Sequence, residues 1–316
     1  MKKVLLTGAN GFVGRVLRTY LDSAGWSVIG TSSSHSAPAH AEDILLDITD
    51  ADALASVVKR VQPDAVVHLA AVTHVPTSLR EPQLTWRTNV LGTVNLLEAV
   101  KHHAPQAFVL FVSSSEVYGE AFKAGVALDE QARCLPMNPY AASKLAAELA
   151  CQQHWRQGFP GAIARPFNHI GPGQSPDFVT ASFARQVANI EAGLQPPVMR
   201  VGNLEACRDF LDVRDVCKAY VQLLALSDFP VQNRVFNIAS GHATKIRDVL
   251  DVMLQQSVVD IDIQLDPERL RPSDIPFAVG DSRHVLDATG WRPGYALSDT
   301  LGGLLGDWRA KVGGGQ

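Results

Sequence analysis

From the first residues onward, short apolar runs alternate with amphipathic stretches. Val4-Leu5-Leu6-Thr7 is a continuous apolar run that breaks at Gly8. The stretch behind it, Arg15-Val16-Leu17-Arg18-Thr19-Tyr20-Leu21, brings its apolar residues back at helical spacing. Read physically, this is a buried strand, a tight turn and a helix start. Residues 28–30 read as a second strand, 44–48 as a third and 65–70 as a fourth, with an amphipathic helix over 50–58 before the fourth. Residues 89–100 are helical, 107–112 form a fifth strand running into serines, and 162–166 form a sixth. Apolar strands alternating with helices predict an α/β fold, a doubly wound parallel sheet covered on both faces. After about residue 170 the alternation loosens and prolines multiply, and one strand, 234–239, reappears and is expected to rejoin the main sheet. The predicted organisation is a sheet domain over 1–170 with a returning segment near 211–242. A smaller, discontinuous second domain takes 171–210 and 243–316.

Composition narrows the class without deciding it. The 316 residues are 46% hydrophobic and 19% charged, enough to bury a full core in a globular enzyme. A net charge of -4 gives no basic footprint for a nucleic-acid backbone, so nucleic acid is not expected as a partner. No run approaches 18 continuous apolar residues, so no membrane span is expected. Met1-Lys2-Lys3 leads straight into the first strand, which makes the cytoplasm the expected location. Cys134, Cys151, Cys207 and Cys217 are scattered without C-x-x-C spacing, and the ten histidines show no ligand spacing, so free thiols and no metal are expected.

The candidate chemistry sits just after the strands, where an open parallel sheet places its ligands. Gly8, Gly11 and Gly14 follow the first strand at intervals of three. Gly8 permits the turn, Gly11 lets backbone approach a pyrophosphate, and Gly14 lets the helix pack closely, with its N-terminal amides facing the anion. Thr31-Ser32-Ser33-Ser34-His35, after the second strand, contains no carboxylate to hold ribose hydroxyls. Small hydroxyl donors tolerate a 2′-phosphate, which favours NADP(H) over NAD(H). Asp47 is either an acceptor for an adenine amino group or a turn or N-cap aspartate. The fifth strand ends in Ser113-Ser114-Ser115-Glu116-Val117-Tyr118, and Asn138-Pro139 signals the start of a helix carrying Tyr140 and Lys144, four apart on one face. A phenol near pKa ~10 is a poor base at neutral pH, and a neighbouring ammonium is expected to shift it toward the working range.

Thr7 to Gly14, His68-Leu69-Ala70-Ala71, Asn89-Val90-Leu91-Gly92-Thr93, the Ser114, Tyr140 and Lys144 set, and Arg165-Pro166-Phe167-Asn168 together resemble the extended short-chain dehydrogenase/reductase family, over nearly the whole chain. The resemblance implies a Rossmann sheet with a substrate domain, Tyr140 as acid/base, Lys144 also holding the nicotinamide ribose, and Ser114 bonding the reacting oxygen. By the same resemblance Asn10, Phe12 and Val13 join the three glycines around the cofactor. So do Ser32, Ser33, Asp47 and Ile48 on the adenosine side, and Leu69, Ala70, Ala71, Asn89 and Pro166 near the nicotinamide. Asn89 takes a structural or proton-relay role, or caps a helix. Homodimerisation is a further implication, with Leu96-Leu97 and Leu145-Ala146-Ala147 as apolar contributors unless those stripes face the sheet.

Three stretches, 165–174, 201–210 and 266–274, resemble the members that reduce GDP-4-keto-6-deoxymannose to GDP-rhamnose with NADPH. They imply a GDP-sugar substrate, with Asn168, Arg208 and Arg271 converging on its diphosphate, base contacts around Val179 and Arg208, and Arg185 and Asp274 also among the substrate-binding residues. Planar guanidinium groups suit phosphate oxygens, while surface ion pairs with Asp209, Asp212 or Asp274 are the plainer use of these arginines. Glu116 stands where nucleotide-sugar 4,6-dehydratases keep a catalytic glutamate. It therefore leaves open a dehydratase or 4-epimerase, against a carboxylate that merely bonds loop amides. A non-catalytic NADP-binding regulator is the third reading, and the intact Tyr140 and Lys144 speak against it.

Overall fold

The computed structural model describes residues 1–33, 40–226, 234–269 and 275–314. In chain order the first half runs β1 (Lys3–Thr7), α1 (Phe12–Ser23), β2 (Ser27–Ser32), β3 (Ile44–Leu45), α2 (Ala51–Val61), β4 (Ala65–His68), α3 (Val75–Arg80), α4 (Pro82–Trp86), a π turn (Arg87–Leu91), α5 (Gly92–His103), β5 (Phe108–Val112), α6 (Pro139–Arg156) and β6 (Gly161–Pro166). It continues with β7 (Asn168–Ile170), α7 (Val179–Glu191), β8 (Val198–Val201), β9 (Cys207–Arg208), β10 (Phe210–Asp212), α8 (Val213–Leu223), β11 (Val235–Ile238), β12 (Thr244–Lys245), α9 (Ile246–Gln255), β13 (Asp262–Leu265), β14 (Phe277–Ala278), α10 (Arg283–Thr289) and α11 (Leu297–Gly313).

The seven-stranded main sheet has the order β11-β6-β5-β4-β1-β2-β3, and every pairing in it is parallel. Its apolar runs are continuous because both faces are covered. Val4 and Leu6 enter one core with Leu17, Tyr220 and Phe236, while Leu5 between them enters the other with Leu54, Val66, Leu96 and Trp155. β11 rejoins this sheet beside β6, as its sequence pattern predicts. A third core of α7, α9, α11 and β8 residues, including Phe183, Met199, Leu250 and Leu304, lies in the C-terminal half.

Three expectations are corrected. The third strand stops at Leu45: Asp47 accepts from the Thr49 amide at 2.9 Å and its hydroxyl at 2.8 Å, an Asx turn that takes the backbone away from the ladder. Leu96, Leu97 and Ala147 are buried in the sheet core, so they do not supply an outer surface. The helix after β4 also begins differently, with Asn89 lying inside the π turn rather than capping a helix.

Candidate active site

The strand order reverses between β1 and β4, and a crevice opens at the carboxyl ends of such a pair. The glycine turn occupies this place. Gly8 has φ +72°, and a Cβ there would stand 2.9 Å from the Ala70 amide nitrogen. At Gly14 a Cβ would stand 2.4 Å from the Gly8 carbonyl oxygen, so α1 can seat on β1 only with glycine there. At Gly11 the nearest atom is the Gly8 carbonyl oxygen at 3.2 Å, which leaves that side of the turn open as a cradle before the first amides of α1. A dinucleotide pyrophosphate fits this cradle on chemistry and on space. Phe12, at the first position of α1, stacks on His169 of β7 with ring centroids 6.0 Å apart, and Arg15 donates to the Asn10 carbonyl at 2.7 Å. Leu69, Ala70 and Ala71 are half-buried just past β4, and Pro166 closes β6.

β2 ends at the buried Ser32, and Ser33 is exposed beyond it. Ser34 and His35 lie outside the described residues. One pair here escaped sequence reasoning: Asp43 accepts from the Gly30 amide at 3.0 Å and from the Arg18 guanidinium, tying α1 to β2. Ile48 is buried against Gly92, and its carbonyl accepts from Asn95 at 3.2 Å. Asp47 is exposed, with one carboxylate oxygen committed to its Asx turn.

Asn138 caps α6 by accepting from the Ala141 amide at 2.8 Å, and Pro139 fits the first helical position because it has no amide to satisfy. Tyr140 and Lys144 are both buried on the inward stripe of α6. The Lys144 Nζ stands 4.6 Å over the Phe111 ring, at the end of β5. Burial lowers Lys144 to about 8, with Cys151 and Glu148 pulling it back up. Tyr140 departs from expectation. Burial pushes the phenol up to about 12, outweighing the Ser114 hydroxyl within hydrogen-bonding reach that pulls it down, while Glu116 adds to the rise. In the cofactor-free protein the phenol therefore keeps its proton at neutral pH, the state a proton donor needs. The Ser114 hydroxyl accepts from the Glu116 amide at 3.2 Å and caps a short 3₁₀ turn, Ser115–Tyr118. Glu116 is exposed, and its carboxylate accepts from the Asn138 side chain at 3.2 Å rather than from loop amides.

A buried relay connects the glycine turn to α6. The Thr93 hydroxyl donates to the Asn89 carbonyl at 2.6 Å, so it accepts from His68 Nε2 at 3.1 Å, and His68 Nδ1 accepts from the Thr7 hydroxyl at 2.7 Å. This assignment requires a neutral imidazole, and burial lowers His68 to about 3. The Asn89 side chain accepts from the Val72 amide at 2.8 Å. It donates to the Val72 carbonyl at 3.0 Å and to the Ser143 hydroxyl at 2.9 Å, and Ser143 donates to the Tyr140 carbonyl at 2.7 Å. Asn89 thus ties the loop after β4 to the helix that carries Tyr140 and Lys144.

Asn168, at the start of β7, is exposed and donates to the Asp209 carbonyl at 3.3 Å. The Arg208 Nη1 donates to the carbonyls of Cys207 at 2.9 Å and Ile275 at 2.7 Å. Asp212 pairs with Arg214 at 2.7 Å. The exposed Val179 opens α7, and Arg185 two turns on lines a cleft of about 480 Å³ with Asn189, Arg200, Gln264 and Arg269. Arg271 and Asp274 lie outside the described residues. No group of three or more metal-ligating side chains occurs among the described residues.

A parallel sheet with a glycine cradle at its switch point and a tyrosine and lysine one helical turn apart defines a dinucleotide-dependent oxidoreductase site. The chain matches the GDP-mannose 4,6 dehydratase family over residues 5–302 and belongs to that family, within the extended short-chain dehydrogenases/reductases. It is 38% identical to a GDP-6-deoxy-D-mannose reductase of Pseudomonas aeruginosa over 315 residues, covering 98% of each chain. A solved structure of RMD from Pseudomonas aeruginosa complexed with NADPH superimposes with a TM-score of 0.87 at 37% identity, covering 98% of this chain and 100% of the other. A Thermus thermophilus UDP-glucose 4-epimerase complex with NAD gives 0.85 at 26% identity, covering 97% and 99%.

Proposed function

We propose that the protein reduces the C4 keto group of GDP-4-keto-6-deoxy-D-mannose to give GDP-D-rhamnose, with NADPH as reductant. The observation that carries this reading is the full-length likeness to a reductase, joined to a Tyr140 phenol held protonated beside Ser114. When bound in the glycine cradle, NADPH supplies a hydride to the carbonyl carbon. Ser114 orients the carbonyl oxygen, Tyr140 passes its proton to that oxygen, and the Lys144 ammonium stabilises the phenolate left behind. Ser32 and Ser33 at the end of β2 would meet the adenosine ribose, and the sequence from Thr31 to His35 contains no carboxylate, which supports NADP(H) over NAD(H). Asn168, Arg208 and Arg271 would take the diphosphate. Val179, Arg185 and Asp274 would take the nucleoside, in a substrate domain of residues 171–210 and 243–316 set against the cofactor domain.

Purified protein given GDP-4-keto-6-deoxymannose should oxidise NADPH one for one with substrate. Conversion of GDP-mannose with no net change in cofactor would replace this reading with the dehydratase, in which Glu116 near Tyr140 removes the C5 proton. That second reading draws on the exposed position of Glu116 beside the catalytic phenol.

We also infer a homodimer. Leu79, Trp86, Leu91 and Leu149 are exposed apolar residues on α3, α4, the π turn and α6, and these elements pack on one another. Sedimentation should give twice the chain mass, and Leu149→Glu should shift it to the monomer; a monomeric wild type sinks this inference. We place the protein in the cytoplasm, where its four free cysteines stay reduced, and cell fractionation reads this directly. No helix among the described residues is long and apolar enough to cross a membrane.

A further inference from the structure

We propose that the buried ion pair of Glu148 and Arg165 is a positioning device for the reaction, fixing from behind the three elements that carry Ser114, Glu116, Tyr140 and Lys144. The proposal rests on the reductase reading of the site. Glu148 lies on α6 one turn beyond Lys144 and two beyond Tyr140, with no exposed surface. Its carboxylate accepts from the Ser113 hydroxyl, whose neighbour in sequence is Ser114, so one charge bridges the catalytic helix and the tip of β5. Arg165, from β6, donates to the same carboxylate through Nε at 3.0 Å and Nη2 at 2.6 Å. Its Nη1 donates to the Tyr118 hydroxyl at 3.0 Å, at the end of the turn that holds Glu116. The Tyr118 hydroxyl donates to Asn237 of β11 at 2.7 Å, and Asn237 donates to the Leu128 carbonyl at 2.9 Å. A buried bidentate pair with all three guanidinium nitrogens engaged is costly to distort, so its geometry is passed to each element it touches.

The pair also sets the charge around Lys144. From its own helix Lys144 faces Cys151 and Glu148, with Tyr140 one turn before it; from β4 it faces His68, from β5 the Phe111 ring, and from β6 Arg165 through Glu148. Tyr140 and Cys151 are both pushed up by burial and are uncharged, and His68 is neutral. Glu148 is the one carboxylate in this set, and it favours the ammonium.

The test compares Glu148→Gln, which keeps the shape and removes the charge, with Ser113→Ala, which keeps the pair and cuts its link to the strand tip. The readouts are kcat and KM against pH, and an NMR titration of Lys144 in ¹³C-labelled protein assigned with Lys144→Met. In the wild type the basic limb of kcat/KM should fall near pH 8, because Lys144 loses its ammonium above about 8. Glu148→Gln should move that limb and the Lys144 titration to lower pH by about one unit. It should also lower kcat by roughly 10- to 100-fold, with little change in the sugar-nucleotide KM. Ser113→Ala should lower kcat by about tenfold and leave the Lys144 titration in place. A folded Glu148→Gln with the wild-type limb and kcat overturns the proposal. If Glu148→Gln does not fold, Ser113→Ala decides alone, and wild-type kcat there overturns it. If the wild type fails to reduce the GDP-sugar, the functional reading falls, while the Lys144 titration in Glu148→Gln still decides this one.

Discussion

Tyr140→Phe is expected to lower kcat for the keto-sugar by ~10²–10⁴-fold, the span that a positioned general acid contributes. NADPH affinity, followed by fluorescence titration, should change far less, because the glycine cradle lies on α1 and β1 rather than on α6. The substitution should also leave the fold intact. Ser114 still accepts from the Glu116 amide when the phenol oxygen goes, and phenylalanine fills the same space. The thermal midpoint should therefore stay at its wild-type value while turnover collapses. The phenol is held protonated, so the loss should be equally deep from pH 6 to pH 8, with no basic limb from Tyr140 in that window. Activity of Tyr140→Phe within about tenfold of wild type would remove Tyr140 from the mechanism and leave proton delivery to solvent or to Glu116.

What could be read from the chain alone divides by the range of the interaction involved. β1 declared itself because both of its faces are buried, which turns Val4, Leu5 and Leu6 into an unbroken apolar run. The Asn138 cap and the spacing of Tyr140 and Lys144 are local, and both stand as expected. The third strand was over-extended because a side chain, Asp47, outbid the ladder for the Thr49 amide. The protonation of Tyr140 was not legible, since a charge four residues away is visible in sequence and the depth of burial is not. The Glu148 hub was silent for the same reason. Ser113 lies 35 residues from Glu148, and Tyr118 lies 119 from Asn237, so no pattern along the chain joins them. Periodicity gave the apolar stripes of α5 and α6 correctly but not which way they face: Leu96 and Leu97 turn inward, while Leu91 and Leu149 remain outside.

Asp209→Ala should have the largest effect on stability. This carboxylate is fully buried between β9 and β10, and four donors from distant segments converge on it. The Ser240 amide at 2.8 Å and hydroxyl at 2.7 Å reach one oxygen; the Gly241 amide at 3.0 Å and the Gly280 amide at 3.3 Å reach the other. Asp209 thereby gathers the loop after β11 and the segment after β14, next to the carbonyl that receives Asn168. Alanine strands three backbone amides at about 1–3 kcal/mol each. Even with a discount for the half-buried Ser240 and the exposed Gly241, a loss of roughly 3–4 kcal/mol is expected against the ~5–15 kcal/mol that holds a domain folded. Burial pushes this carboxyl up despite its four donors, so loss of the charge is the smaller part of the penalty. Asp209→Asn, which keeps one acceptor oxygen, should accordingly fall between alanine and wild type. Urea unfolding of the three proteins measures this order, and an alanine midpoint equal to that of wild type would mean the two loops are held by other contacts. The folded fraction of either variant should also show a raised KM for the sugar nucleotide, because the β7 and β9 positions proposed to grip the diphosphate hang from the same clamp.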